Sequence, residues 1–136
     1  MSAPQPEAGQ RGTCLVVDDS RTVRRAARRM LEAEGFAVRE AEDGSQALDA
    51  CRAALPDLVL LDWNMPVMDG PSFLRAARAE FGAERPVVVL CTTEAALERI
   101  VEALEAGAQE YVMKPFDESI LRDKLAQVGL LPRDAA

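Results

Sequence analysis

The sequence predicts an α/β fold built on a single doubly wound, five-stranded parallel sheet, and three observations predict it. Short apolar runs alternate with amphipathic stretches from Thr13 to about Val128, which is the pattern of repeated strand-helix units. Two of the runs, Leu58-Val59-Leu60-Leu61 and Val87-Val88-Val89-Leu90, are apolar without interruption, as central parallel strands covered on both faces must be. The connections are tight and no internal repeat interrupts them, so right-handed crossovers place helices on both faces of the sheet.

Each element has its own signal. The Pro-, Gln- and Gly-bearing residues 1–12 read as a flexible N-terminal tail, 13–128 as one domain and 129–136 as a short C-terminal tail. Strands are expected at Thr13–Val17, Phe36–Glu40, Asp57–Leu61, Pro86–Cys91 and Glu110–Met113. Ser20 can cap a first helix with Val23, Ala27, Met30 and Leu31 inward and Gly35 just past its end. Pro71 suits the first turn of a helix carrying Phe73, Leu74, Ala77 and Phe81. Leu97, Ile100, Val101 and Leu104 repeat at helical spacing before Gly107, and Asp117 can cap a last helix that buries Leu121, Leu125 and Val128.

Composition narrows the function. With 136 residues, 49% hydrophobic and 29% charged, the chain suits one soluble globular domain, and no appended DNA-binding or enzymatic module is expected. The net charge of −7 argues against nucleic acid or anionic lipid as the main ligand. Cys14, Cys51 and Cys91 are far apart, without metal-type spacing, and read as free core thiols of a reducing compartment. No signal pattern or membrane-length apolar run is present, so a cytoplasmic location is expected. The chain has no histidine, which removes the commonest general base and excludes a phosphohistidine on this protein itself.

In open parallel sheets, chemistry gathers beyond the carboxyl ends of the strands. There the sequence places Asp18 and Asp19 after the first strand, Asp62 after the third, Thr92 after the fourth and Lys114-Pro115 after the fifth. Three carboxylates brought together repel one another unless a cation shares the site. Few protein ligands, with room left for water and a phosphoryl oxygen, suit Mg²⁺ better than Ca²⁺. With Lys114 to pair negative charge and Thr92 to hydrogen-bond it, Asp62 is equipped to accept a phosphoryl group as an acyl phosphate, although the same parts would serve a phosphatase.

The segments LVVDDS, LLDWNMPVMDG, VVLCTTE and YVMKPFD stand in the order and spacing of the receiver domain of two-component response regulators. From about Thr13 to Val128 the chain resembles that family, and DDSRTVRR, DWNMPVMDG and KPF are most similar to its single-domain, CheY-like, chemotaxis-type members. The resemblance implies a flavodoxin-like (βα)5 fold with Asp62 phosphorylated by a histidine kinase or phosphotransfer protein. It implies that Asp18, Asp19, Asp62 and the backbone carbonyl of Asn64 organise Mg²⁺, and that Thr92 and Lys114 contact the phosphoryl group. It also implies a switch in which Thr92 moves inward and Tyr111 passes from an exposed to a buried rotamer. That change would remodel an output face made by the fourth helix, the last strand and the last helix. Lys114-Pro115 is similar to the family's cis-peptide site. Tyr111 could equally pack statically.

Three details bear on the subtype. Thr93 stands where the family more often has Ala or Gly, which would narrow access to the phosphoryl pocket. Asn64 and Glu94 occupy the positions that in the family tune water attack on the acyl phosphate, though Glu94 also suits the first turn of a helix. Arg21, Arg24, Arg25, Arg28 and Arg29 follow helical spacing, either as a solvated face, as a docking surface for an acidic partner helix, or as a grip on an anionic dinucleotide messenger.

The sequence thus reads as a monomeric, stand-alone switch that catalyses only its own phosphorylation and slow autodephosphorylation and processes no free metabolite. Output is expected through an effector protein such as a flagellar motor component or another regulator, without DNA contact or membrane insertion. The alternatives are a phosphorelay intermediate and a non-phosphorylated or messenger-binding interaction module. A haloacid-dehalogenase-type hydrolase would need a carboxylate where Asn64 stands, and a flavodoxin-like cofactor binder would meet repulsion from Asp18-Asp19.

Overall fold

Five parallel strands form one sheet in the order β2-β1-β3-β4-β5, in a computed structural model that describes residues 9, 11–93 and 97–131. The strands are β1 (Gly12–Val17), β2 (Phe36–Ala41), β3 (Leu58–Asp62), β4 (Val87–Thr92) and β5 (Glu110–Met113). Between and after them run α1 (Arg21–Ala33), α2 (Gly44–Ala53), α3 (Gly70–Phe81), α4 (Leu97–Glu105) and α5 (Glu118–Gln127). The expected fold is therefore the observed one, with β1, β2, β3 and β4 each displaced by a residue at one or both ends. Among the described residues no helix is long and apolar enough to cross a membrane.

Alternation along the strands sorts the core into two layers. Leu15, Val17, Val59, Leu61, Val88 and Leu90 pack with α2 and α3 residues and with Ala103 of α4. Cys14, Val16, Leu58, Leu60, Val89 and Cys91 face the opposite way, onto Ala27 and Leu31 of α1 and Leu121 and Leu125 of α5. All three cysteines are free and buried, and burial pushes the Cys51 thiol up to about 11. Such thiols pack as hydrophobes.

The caps follow side-chain chemistry. Ser20 Oγ accepts from Val23 N at 3.3 Å, Asp69 Oδ1 from Ser72 N at 2.9 Å and Asp117 Oδ1 from Ile120 N at 2.9 Å. Helix α2, which the apolar periodicity left unplaced, is closed by a similar pair: Asp43 Oδ1 accepts from Gln46 N, and Gln46 Oε1 accepts from Glu42 N, both at 2.9 Å. Asp43 three residues ahead of Gln46 was the legible signal.

Two features of the packing go beyond what the apolar pattern records. On α4, Val101 and Leu104 are 40% and 43% exposed, and Ala103 is the buried member of the helix among the described side chains. The helix lies at the edge of the sheet, where β5 has only four residues, so half of its apolar arc finds no strand beneath it. At the other end, Leu131 is 8% exposed and joins the α1–α5 layer, and Leu130 N donates to Leu125 O at 2.9 Å, so ordered packing runs beyond Val128.

Candidate functional site

The parallel register builds the site. Val17 is paired with Leu61, so the residues that follow, Asp18 and Asp62, emerge side by side from adjacent strands and on the α1–α5 face. Asp62 is in turn paired with Cys91, which brings Thr92 to the same end, and Lys114 follows β5 with its backbone N–H donating to Thr92 O at 2.8 Å. Asp18, Asp62 and Thr92 are buried, whereas Asp19 is exposed at the rim. Ligand oxygens of Asp18, Asp19 and Asp62 all lie within 4.8 Å of one another.

Lys114 is drawn into this cluster. Its Nζ lies 2.5 Å from Asp18 Oδ2 and 3.1 Å from Asp62 Oδ1. Burial, and next the charge of Asp18, hold the Asp62 carboxyl above the usual carboxylate range despite the nearby ammonium. Burial alone would lower the Lys114 ammonium, but the hydrogen bond to Asp18 and the charges of Asp62 and Asp18 outweigh it, and the net shift is upward. One ammonium among three carboxylates leaves an excess of negative charge in a half-dry pocket. The all-oxygen donor set and that excess fit a hard divalent cation.

Neighbouring residues hold these groups in place. Asp18 Oδ1 accepts from Ser20 N at 2.8 Å, which links the site to the cap of α1, and Asp18 O accepts from Arg24 Nη1 at 2.7 Å. Arg24 is itself buried, with Nε 3.1 Å from Glu40 Oε1. Gly70 lies under Asp62 so closely that an added Cβ would stand 2.7 Å from Asp62 O and 2.9 Å from Trp63 Cα. Gly44 N donates to Met68 O at 2.9 Å and ties α2 to the same β3–α3 loop.

The sequence-predicted residues fall as follows. Asp18, Asp19, Asp62, Thr92 and Lys114 converge, and the Lys114–Pro115 bond is cis, as is Arg85–Pro86. Asn64 is exposed in the loop after Asp62, Thr93 is exposed at the rim, and Tyr111 is half-buried on β5. Glu94 lies outside the described residues. The five arginines of α1 do not form one free stripe: Arg24 is buried against Glu40, and Arg28 Nη1 lies 2.8 Å from Glu40 Oε2, which leaves Arg21, Arg25 and Arg29 exposed. Sequence reasoning missed the structural parts of Arg24, Gly44 and Gly70; the Gly70-Pro71 pair at the start of α3 was the available hint.

Comparison with known proteins agrees with this geometry. The family model described as the response regulator receiver domain matches residues 14–126. The chain is 39% identical over 115 residues to chemotaxis protein CheY of Pseudomonas aeruginosa, covering 84% of this chain and 93% of that protein. It is equally identical over 115 residues to chemotaxis protein CheY-3 of Vibrio cholerae, covering 88% of that protein. The solved structure of Vibrio cholerae CheY4 superposes with a TM-score of 0.80 at 34% identity, over 85% of this chain and 97% of that one. On that coverage and identity, the chain belongs to the response regulator receiver domain family, in its CheY-like form.

Proposed function

We propose that this protein is a cytoplasmic signalling switch, phosphorylated on Asp62 by a phosphohistidine donor and read out by a protein partner in a chemotaxis-type pathway. The observation that carries the reading is the Lys114 ammonium shared by Asp18 and Asp62 at the ends of three strands. An Asp62 oxygen attacks phosphorus, the P–N bond to the donor imidazole breaks with its electron pair leaving on nitrogen, and an acyl phosphate results. Lys114 meets the incoming negative charge, and the Thr92 hydroxyl hydrogen-bonds a phosphoryl oxygen. Asp18, Asp19, Asp62 and the carbonyl of Asn64 would hold Mg²⁺, which supplies charge neutralisation at the phosphoryl oxygens. Asn64, Thr93 and Glu94 would tune the attack of the water that later hydrolyses the acyl phosphate.

The donor's approach is supported by a groove of about 410 Å³ that opens beside Lys114, lined mainly by Val23, Ala26, Met30, Pro115 and Phe116. Exposed Arg21 and Arg25 on the same helix favour a donor helix with an apolar contact strip and an acidic rim. The output face comprises α4, β5 and α5, where Val101, Leu104 and Ile120 are exposed.

Ala26 tests this arrangement because it is exposed in the groove and remote in role from the reacting groups. The Ala26→Arg protein is expected to accept phosphate from a protein phosphohistidine donor about tenfold more slowly or worse, and from acetyl phosphate at the wild-type rate. Equal rates with the protein donor would remove the groove from the account, and failure with both donors would place the defect in the phosphoacceptor site itself.

A further inference from the structure

The cations of this chain are arginines except at two positions, Lys114 and Lys124. The first serves the site. The second stands on α5 with its Nζ 4.6 Å from the centroid of the Tyr111 ring. The same ammonium lies 3.4 Å from Glu110 Oε1, and that oxygen also accepts from Tyr111 N at 3.0 Å. Lys124 and Glu110 are both largely covered, with side-chain exposures of 21% and 22%. An ammonium over a ring face is attracted by the ring quadrupole, more strongly as water is excluded. Its second bond, to a carboxylate on the same strand as the ring, fixes where that ammonium sits. The ring, the ammonium and the carboxylate therefore form one closed contact between β5 and α5.

We propose that Lys124 is a positioning residue that latches Tyr111 in the unphosphorylated state. The proposal rests on the reading of Tyr111 as the aromatic that moves when Asp62 is phosphorylated. Moving the ring inward separates it from Lys124, so the latch weights the equilibrium against the switched state, and the phosphoryl group must overcome that weight. A contact of this size alters the population of a minor state by about two- to fivefold, and the apparent affinity of a ligand selecting that state changes by the same factor. Glu110 acts through Lys124, since it holds the ammonium at the ring.

The chain offers one tyrosine and one tryptophan, so two independent probes report single residues. Incorporated 3-fluorotyrosine gives one ¹⁹F resonance, from Tyr111, and the fluorescence of Trp63, adjoining Asp62 in sequence, follows occupation of the site. Wild type, Lys124→Gln and Lys124→Arg are titrated with Mg²⁺ and beryllium trifluoride, a tetrahedral phosphoryl mimic. In the wild type the ¹⁹F resonance is expected to move on saturation. Lys124→Gln should bind the mimic about two- to fivefold more tightly by Trp63 fluorescence, with its unliganded ¹⁹F resonance displaced toward the liganded position. Lys124→Arg, which keeps a cation for the ring, should stay within twofold of wild type. An immobile wild-type resonance at saturation would overturn the switch reading and the latch with it. A mobile one, with unchanged affinity in Lys124→Gln or equal gains in both variants, would overturn the latch alone.

Discussion

Lys114→Met is expected to slow phosphorylation by acetyl phosphate by about two to three orders of magnitude, the usual consequence of removing one placed donor from a developing anion. The methionine keeps the length of the side chain and leaves Asp18 and Asp62 without the ammonium that lies 2.5 and 3.1 Å from them. Added Mg²⁺ would restore charge balance but not the hydrogen-bond donor that Lys114 provides, so saturating metal should recover only part of the rate. Stopped-flow fluorescence of Trp63 under single-turnover conditions measures this, and a rate within threefold of wild type would contradict the role given to Lys114.

The same variant should alter the pH dependence of stability. Asp62 is held above the ordinary carboxylate value of 3.8 by burial and by Asp18, so the folded protein binds its proton more tightly than the unfolded chain does. Stability from this group therefore falls as pH rises from that value through the folded pKa. Lys114 opposes the upward shift, and its loss should steepen the fall in metal-free buffer.

Gly70→Ala is expected to cost about 2–3 kcal/mol of stability, or roughly a 10 °C lower Tm for a domain of this size. The added methyl group would meet Asp62 O at 2.7 Å and Trp63 Cα at 2.9 Å, both backbone atoms that no side-chain rotation can move. Relief requires β3 and α3 to separate at Asp62, the proposed phosphoacceptor, so phosphorylation should slow together with the loss of stability. Thermal unfolding alongside the acetyl phosphate rate measures both, and a stability within 0.5 kcal/mol of wild type would show that the loop yields more readily than this geometry allows.

Most of this architecture was legible because its signals are local. Unbroken apolar runs mark strands covered on both faces, and the strand-end rule for parallel sheets then locates Asp18, Asp62, Thr92 and Lys114 without coordinates. What escaped is what only the packed structure decides. Arg24 carries the same charge and helical spacing as Arg25, yet it is buried against Glu40 because its face of α1 meets β2. The apolar repeat of α4 predicts a buried stripe, but a helix at the sheet edge leaves Val101 and Leu104 exposed. Gly70 is needed for a close approach of the backbone to Asp62 and Trp63 at the end of β3, and Lys124 finds Tyr111 across two elements, neither of which a sequence pattern records.

The most direct test is the intact mass of the wild type and of Asp62→Ala after incubation with acetyl phosphate, with Mg²⁺ and with a chelator. One added phosphoryl group is expected in the wild type, dependent on Mg²⁺ and absent from the variant. A wild-type protein that gains no mass, or an adduct that persists in Asp62→Ala, would contradict the assignment of Asp62 as the phosphoacceptor.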